Sequence, residues 1–144
     1  MTVQLKRYES AAEVEAVVRK FEACLFGPDE FHHREHLTVA LCYLLESNER
    51  TALERLRDNL FRFIRHHHIE ANVYHETITL FWLKRVGRFL ERSDKGRALA
   101  ELANELIAEC CDARLVKAYF SQPLLDSAEA REGWVEPDVQ PLDF

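Results

Sequence analysis

The sequence predicts an all-α protein, an up-and-down helical bundle with extra short helices and an extended C-terminal tail, in which residues 1–144 form one domain. The chain has 144 residues, enough to bury a core without disulfides or metals. Its four glycines and four prolines are too few for the many turns of a β protein. Apolar residues recur at helical spacing along most of the chain, which favours long helices.

The first two helices are predicted from a capping box and a proline. Ser10 is followed three residues later by Glu13, a spacing typical of a helix N-terminus. Gly27 interrupts the apolar stripe that follows, so we expect the first helix to end there. Pro28 is well tolerated in a first helical turn, and we predict that the second helix runs from Pro28 to Glu46.

The third and fourth helices follow from the same kinds of signal. Thr51 and Glu54 form a second capping box, which predicts that the third helix begins at Thr51. That helix should fray near residues 66–68, where three histidines follow one another. Helical spacing of apolar residues then predicts a fourth helix over Ala71–Glu91.

The last third of the chain predicts shorter elements and a packed tail. We expect helices over Arg97–Cys111 and Ala113–Phe120. Ser127 can cap one final turn, which Gly133 closes. The tail Trp134–Phe144 contains two prolines, so it cannot be helical throughout, but its apolar residues predict that it packs along the bundle.

Charge and hydropathy restrict the partners. The net charge of −6 argues against a nucleic-acid ligand, because phosphate binding needs a basic surface. No apolar run approaches the roughly 20 residues that span a membrane. The first residues lack the order of a signal peptide, so we expect a cytoplasmic protein. The oligomeric state stays open at this point, with a homodimer among the alternatives.

Seven histidines are the clearest chemical feature of the sequence. Because successive residues of a helix are about 100° apart, helical phase shows which of them face inward. His33 and His36 lie on the same side of the second helix as Leu44. His75 is in phase with Trp82 on the fourth helix. These three imidazoles should therefore face the core, whereas most of the others should be on the surface.

Three inward imidazoles from two helices predict a metal site formed by His33, His36 and His75. Neutral imidazole suits a divalent transition metal such as Zn, Fe, Ni or Mn. Glu76 is next to His75, so we predict that it moves protons as the catalytic residue of a metal-dependent hydrolase or lyase with a small polar substrate. His67 is a conditional fourth member of the group, provided that the third helix extends so far.

Two other hypotheses about the same residues stay open. In the first, the histidines are a structural cluster or line a metal-free pocket, where they bind a small molecule together with Tyr43, Tyr74 and Glu76. In the second, the chain is a protein-interaction module that works through a helix face or through the Trp134–Phe144 tail. Neither the metal nor the substrate follows from the residues alone.

Several segments of the chain resemble a group of small uncharacterised bacterial helical proteins. The resemblance covers about residues 28–142 and rests on an F-x-H-x-x-H segment, a Y-H-E-T segment and a W-V-E-P-D segment. These are Phe31-His32-His33-Arg34-Glu35-His36, Tyr74-His75-Glu76-Thr77 and Trp134-Val135-Glu136-Pro137-Asp138. The resemblance implies that the histidines and the tail belong to one pattern, and it implies no particular reaction.

Overall fold

The computed structural model of the protein describes residues 6–94 and 96–144. Over these ranges the chain is all-α, with no β-strand. The α-helices are α1 (Ala11–Glu22), α2 (His33–Glu46), α3 (Glu49–His66), α4 (Glu76–Glu91), α5 (Leu99–Cys110), α6 (Gln122–Leu125) and α7 (Ala128–Glu132). Two 3-10 helices occupy Ala71–Val73 and Ala113–Ala118. The predicted fold class is therefore confirmed.

The bundle is arranged around α2. This helix contacts α1, α3, α4 and α5, whereas α5 packs against α1 and α2. Helices that face other helices on most sides are apolar around most of their circumference, and α2 follows this rule. Leu37 and Leu41 lie on one side of its axis and Val39 and Tyr43 on the opposite side, and all four are buried. The first turn of α2, which carries two of the histidines, contacts both α4 and α5, because His33 meets the Trp82 ring and the Cys110 carbonyl.

Two hydrophobic clusters hold the helices together. The main core joins α1 to α5 and includes fully buried side chains such as Phe21 and Leu106. A smaller cluster lies under the C-terminal tail and is formed by Phe81, Val116, Tyr119, Phe120 and Leu125. Trp82 packs against both clusters, so α4 connects them. Among the helices of the described ranges, none combines the length and the apolarity that crossing a bilayer requires.

The C-terminal tail packs along the bundle as predicted. The ring of Trp134 meets the ring of Phe120 edge to face at 5.8 Å, and Phe144 meets Phe81 in the same way at 5.5 Å. Edge-to-face pairs of this kind stabilise by roughly 0.5–1.5 kcal/mol beyond the area they bury. Val139 is the exception among the tail's apolar residues, since it is exposed.

The predicted start of the second helix at Pro28 is wrong, because α2 begins at His33. A turn over residues 27–30 takes the place of the first predicted helical turns. It allows Phe31 to enter the core, where its ring stacks on that of Phe21 at 4.4 Å and almost parallel. In a regular helix that began at Pro28, helical phase would fix the direction of the Phe31 side chain, and the ring would not be free to turn toward Phe21.

Two other helix starts also differ from the prediction. The third helix begins at Glu49, and the side-chain oxygen of Asn48 accepts the Thr51 amide at 2.9 Å, so Thr51 is inside the helix and is not its cap. The fourth begins at Glu76, after the 3-10 helix Ala71–Val73. In both cases another side chain satisfies the free amides of the first turn.

The short elements near the C-terminus follow the prediction more closely. The predicted helix over Ala113–Phe120 is a 3-10 helix, Ala113–Ala118. Ser127 caps α7 by accepting the Ala130 amide at 3.1 Å, and Gly133 follows its last residue, as predicted. These elements stand opposite α4 and provide the second wall of the cavity that carries the histidines.

Candidate functional site

The three histidines that helical phase selected line one cavity of about 530 Å³, which we call the histidine cavity. His33 and His36 come from the first turn of α2, and His75 directly precedes α4. The cavity is closed on the opposite side by the 3-10 helix Ala113–Ala118 and by α6. Its apolar lining is formed mainly by Phe31, Ile78, Trp82, Val116 and Leu125.

His33 is held by a backbone carbonyl and by an aromatic ring. Its Nε2 is 2.8 Å from the carbonyl oxygen of Cys110. Because a carbonyl can only accept, Nε2 carries the proton and donates the hydrogen bond. The imidazole meets the Trp82 ring at 4.5 Å with an angle of 65° between the planes. Burial lowers the pKa of His33, against the opposite effects of the Cys110 carbonyl and of Asp112. The ring is therefore neutral, and its Nδ1 is an acceptor.

His36 is the most strongly perturbed of the histidines. Burial lowers its pKa to about 4, and the neighbouring His33 lowers it further. Its ring lies 4.3 Å from that of Phe31, in the aromatic group that also holds Phe21 and Phe63. Within the described residues, neither nitrogen of the ring has a protein hydrogen-bond partner. His36 therefore contributes a neutral imidazole whose two ring nitrogens can form hydrogen bonds to a ligand.

His75 does not lie inside a helix, which corrects the phase argument that selected it. It is the N-cap of α4, and its Nδ1 accepts the amide of Ile78 at 3.2 Å. Its Nε2 donates to the carbonyl oxygen of Leu125 at 2.6 Å. Burial lowers the pKa of His75, and Arg131 lowers it further. Both ring nitrogens are thus occupied, so this side chain joins α4 to α6 and has no lone pair left for a metal.

Glu76, the predicted catalytic residue, lies in a different cavity. This second cavity of about 910 Å³, which we call the Glu76 cleft, is also lined by Arg57, Tyr74 and Asn72. The carboxylate of Glu76 accepts from Arg57 Nε at 3.1 Å and from Arg57 Nη2 at 2.5 Å. It also accepts from the Tyr74 hydroxyl at 2.6 Å. The structure therefore does not bring Glu76 together with the three histidines.

The other histidines are distributed as structural or surface residues. His67 Nε2 is 2.8 Å from the carbonyl oxygen of Phe26, and its ring meets that of Phe63 at 4.6 Å. It follows the end of α3 and does not line the histidine cavity, so the conditional fourth member of the group is excluded. His32, His66 and His68 are exposed, as predicted.

Sequence reasoning missed the charged residues at the edge of the histidine cavity. Lys117, Asp126 and Arg131 line it, and the last two also line the Glu76 cleft. They come from the segment after α5, and each of the three is more than 40 residues from the three histidines along the chain. No periodic signal joins such distant residues, because only the tertiary fold brings them to one place.

The donor atoms of the site do not fit the predicted metal. Across residues 6–94 and 96–144, no group of three or more His, Cys, Asp or Glu side chains is arranged to hold a metal ion. The physical reason is that His33 and His75 already donate to backbone carbonyls and that the remaining nitrogen of His75 caps α4. These residues give no support to the divalent metal or to the hydrolase or lyase activity, and both stay predictions from the sequence.

Comparison with protein-family models, with curated proteins and with solved structures finds no match to this chain. The resemblance to small bacterial helical proteins consequently stays a prediction. What the chain binds must be argued from the geometry of its own residues.

Proposed function

We propose that this protein binds a small organic molecule with a planar heteroaromatic ring in the histidine cavity, without a metal. The observation that carries the proposal is that three neutral imidazoles and two aromatic rings, those of Phe31 and Trp82, line one cavity. The proposal keeps the histidines of the metal-free alternative that the sequence left open, but not Tyr43, Tyr74 and Glu76, which do not line this cavity. The cavity volume of about 530 Å³ is in the range of natural small-molecule sites, roughly 300–1,000 Å³.

The cavity is held in shape before any ligand arrives. Hydrogen bonds to the carbonyls of Cys110 and Leu125 fix the rings of His33 and His75 across long stretches of chain. The Trp82 ring is held between the two hydrophobic clusters. A site whose side chains are already ordered loses less conformational entropy on binding, which favours affinity.

The polar atoms of the cavity favour a ring that carries an N–H group. His33 Nδ1 is an acceptor, because Nε2 holds the proton. A neutral imidazole at His36 has one acceptor nitrogen and one N–H group. A planar ring with an N–H donor therefore satisfies an imidazole acceptor with its edge and contacts Trp82 or Phe31 with its face.

The direct test is a titration with indole and with benzimidazole, followed by NMR on the ¹⁵N-labelled protein. The expected result is that the resonances of the Trp82 indole N–H and of the His33 and His36 rings shift and saturate. An Ala113→Phe variant should weaken binding about tenfold or more, because Ala113 is exposed and lines the cavity. Ala118→Phe is the matched control, since Ala118 is exposed on the same 3-10 helix away from this cavity.

The proposal is wrong if neither compound shifts these resonances at millimolar concentration. It is also wrong if Ala113→Phe and Ala118→Phe weaken binding equally, since binding would then take place elsewhere. A role in protein interaction through a helix face or the tail, and a homodimer, stay predictions that size-exclusion chromatography with light scattering tests separately.

A further inference from the structure

The histidine cavity and the Glu76 cleft meet at the segment that contains α6 and α7. Asp126 and Arg131 line both of them. Their charges are opposite, and no ion pair within 4.0 Å joins the two among the residues that the structure describes. A ligand in the histidine cavity therefore has at its edge a carboxylate and a guanidinium that do not neutralise each other directly.

Both side chains keep hydrogen-bonding capacity at this boundary. Asp126 Oδ1 accepts from Gln122 at 2.8 Å, which leaves the lone pairs of Oδ2. Arg131 Nη1 donates to the carbonyl oxygen of Asn72 at 2.9 Å, which leaves most of the five N–H groups of the guanidinium. The two charges also shift the pKa of His75 in opposite directions: Asp126 raises it and Arg131 lowers it.

The other charged pair of the neighbourhood is already satisfied. Arg57 and Glu76 bind each other through two hydrogen bonds, and Tyr74 adds a third to the carboxylate. Lys117 lines the histidine cavity but not the Glu76 cleft. Asp126 and Arg131 are thus the charged residues that a head group meets when it lies between the two cavities.

We propose that the ligand carries a zwitterionic head group of the amino-acid type. Its ammonium group would bind the Asp126 carboxylate, and its carboxylate would bind the Arg131 guanidinium, while its planar ring occupies the histidine cavity. Charge-assisted hydrogen bonds of this kind are roughly twice as strong as neutral ones. The inference rests on the proposed function and adds to it the class of head group.

Four probes with the same ring separate the two charges. L-Tryptophan carries both, tryptamine carries only the ammonium, indole-3-propionate carries only the carboxylate, and indole carries neither. Isothermal titration of the full chain should give a Kd for L-tryptophan about tenfold or more below the values for the singly charged probes. Indole should bind most weakly of the four.

Single variants assign each charge to its residue. Asp126→Asn should remove the advantage of L-tryptophan over indole-3-propionate and leave the affinity for indole unchanged. Arg131→Gln should remove its advantage over tryptamine, and Arg131→Lys should restore part of it because the positive charge returns. Glu132→Gln is the matched control, since Glu132 is an exposed residue of the Glu76 cleft only, and all four affinities should stay the same.

The outcomes distinguish the two proposals. If indole binds in the histidine cavity and L-tryptophan binds no more tightly than tryptamine or indole-3-propionate, the zwitterion is overturned and the proposed function stands. If none of the four probes binds, the zwitterion is overturned, and the proposed function fails as well when benzimidazole also leaves the resonances unshifted. If Asp126→Asn weakens all four probes equally, the residue acts on the fold and the assignment of the ammonium site is overturned.

Discussion

The histidine cavity and the Glu76 cleft share Asp126 and Arg131, yet the imidazoles of the first are neutral, whereas Arg57 and Glu76 in the second form an ion pair. In the histidine cavity, burial lowers the pKa of all three imidazoles, and backbone carbonyls and aromatic rings surround them. In the Glu76 cleft, a guanidinium and a carboxylate lie against each other with a tyrosine hydroxyl. One cavity therefore offers neutral polar edges and the other offers a charge pair that is already satisfied.

Residues that are adjacent in the sequence can line different cavities. His75 and Glu76 are consecutive, and both belong to the start of α4. His75 has extended backbone as the N-cap, whereas Glu76 is the first helical residue, so their side chains leave the chain in different directions. The first faces the Leu125 carbonyl and the second faces Arg57. Two residues that look like one catalytic unit therefore serve two sites.

Breaking the ion pair of the Glu76 cleft should give the largest effect. Glu76→Gln removes the charged acceptor of the Arg57 guanidinium, whose side chain is 34% exposed, and of the Tyr74 hydroxyl. We expect a loss of about 2.5 kcal/mol in the free energy of unfolding, measured by urea denaturation, because hydrogen bonds to a charged group contribute roughly 1.5–3 kcal/mol. Glu54→Gln is the control, since its partner Arg50 is 90% exposed and Glu54 itself is 55% exposed, and it should lose under about 1 kcal/mol. Equal losses would remove the distinction between the two pairs.

Acid should destabilise the histidine cavity through His36. Its pKa is about 4 in the folded protein and 6.5 in a model peptide, so between these values the unfolded chain binds more protons. The free energy of unfolding should therefore decrease as the pH falls through this window. His36→Gln should reduce that decrease by roughly 2 kcal/mol, after allowance for partial exposure, when urea curves at about pH 7.5 and about pH 4.5 are compared.

His66→Gln provides the matched control for this pH dependence, because His66 is exposed. Its curves should show the same decrease as the wild type. If His36→Gln and His66→Gln keep the same decrease, His36 is not the neutral, partly buried imidazole that the cavity requires.

The cap formed by His75 should contribute less. His75→Ala removes the acceptor for the Ile78 amide and the donor to the Leu125 carbonyl, and we expect a loss of about 1.5 kcal/mol. His75→Asn should recover about half of this, since an asparagine oxygen also caps a helix but does not reach Leu125. Thermal denaturation measures both variants. Failure of Asn to recover any stability would show that capping is not the main role of the ring.

The smallest effect concerns metal ions. Because both nitrogens of His75 are engaged, about 20 µM zinc should raise the Tm of the untagged protein by less than about 1 °C. A rise of several degrees that His33→Gln, His36→Gln and His75→Gln each abolish would instead support the three-histidine metal site. The same scan with manganese, iron and nickel completes the test.

Much of the fold was predictable because it depends on local signals. Ser127 and Gly133 mark the ends of α7 correctly, since caps act within one helical turn. The start of the second helix was not predictable from Pro28, because the position of Phe31 depends on the ring of Phe21 on another helix. Helical phase placed His33 and His36 on the side of α2 that faces the cavity, since their helix is regular from His33 onward. The same argument failed for His75, which precedes its helix.

The helical class, most of the helices and the inward-facing imidazoles follow from the sequence alone, because periodicity and capping act over a few residues. The contacts of those imidazoles follow only from the packing of distant segments. The partner of His33 is 77 residues away and that of His75 is 50 residues away. Burial and hydrogen bonding set the charge state of each ring and the lone pairs that it keeps. Both depend on these distant contacts, which explains why the sequence shows that imidazoles face inward but not that they are neutral and separate from Glu76.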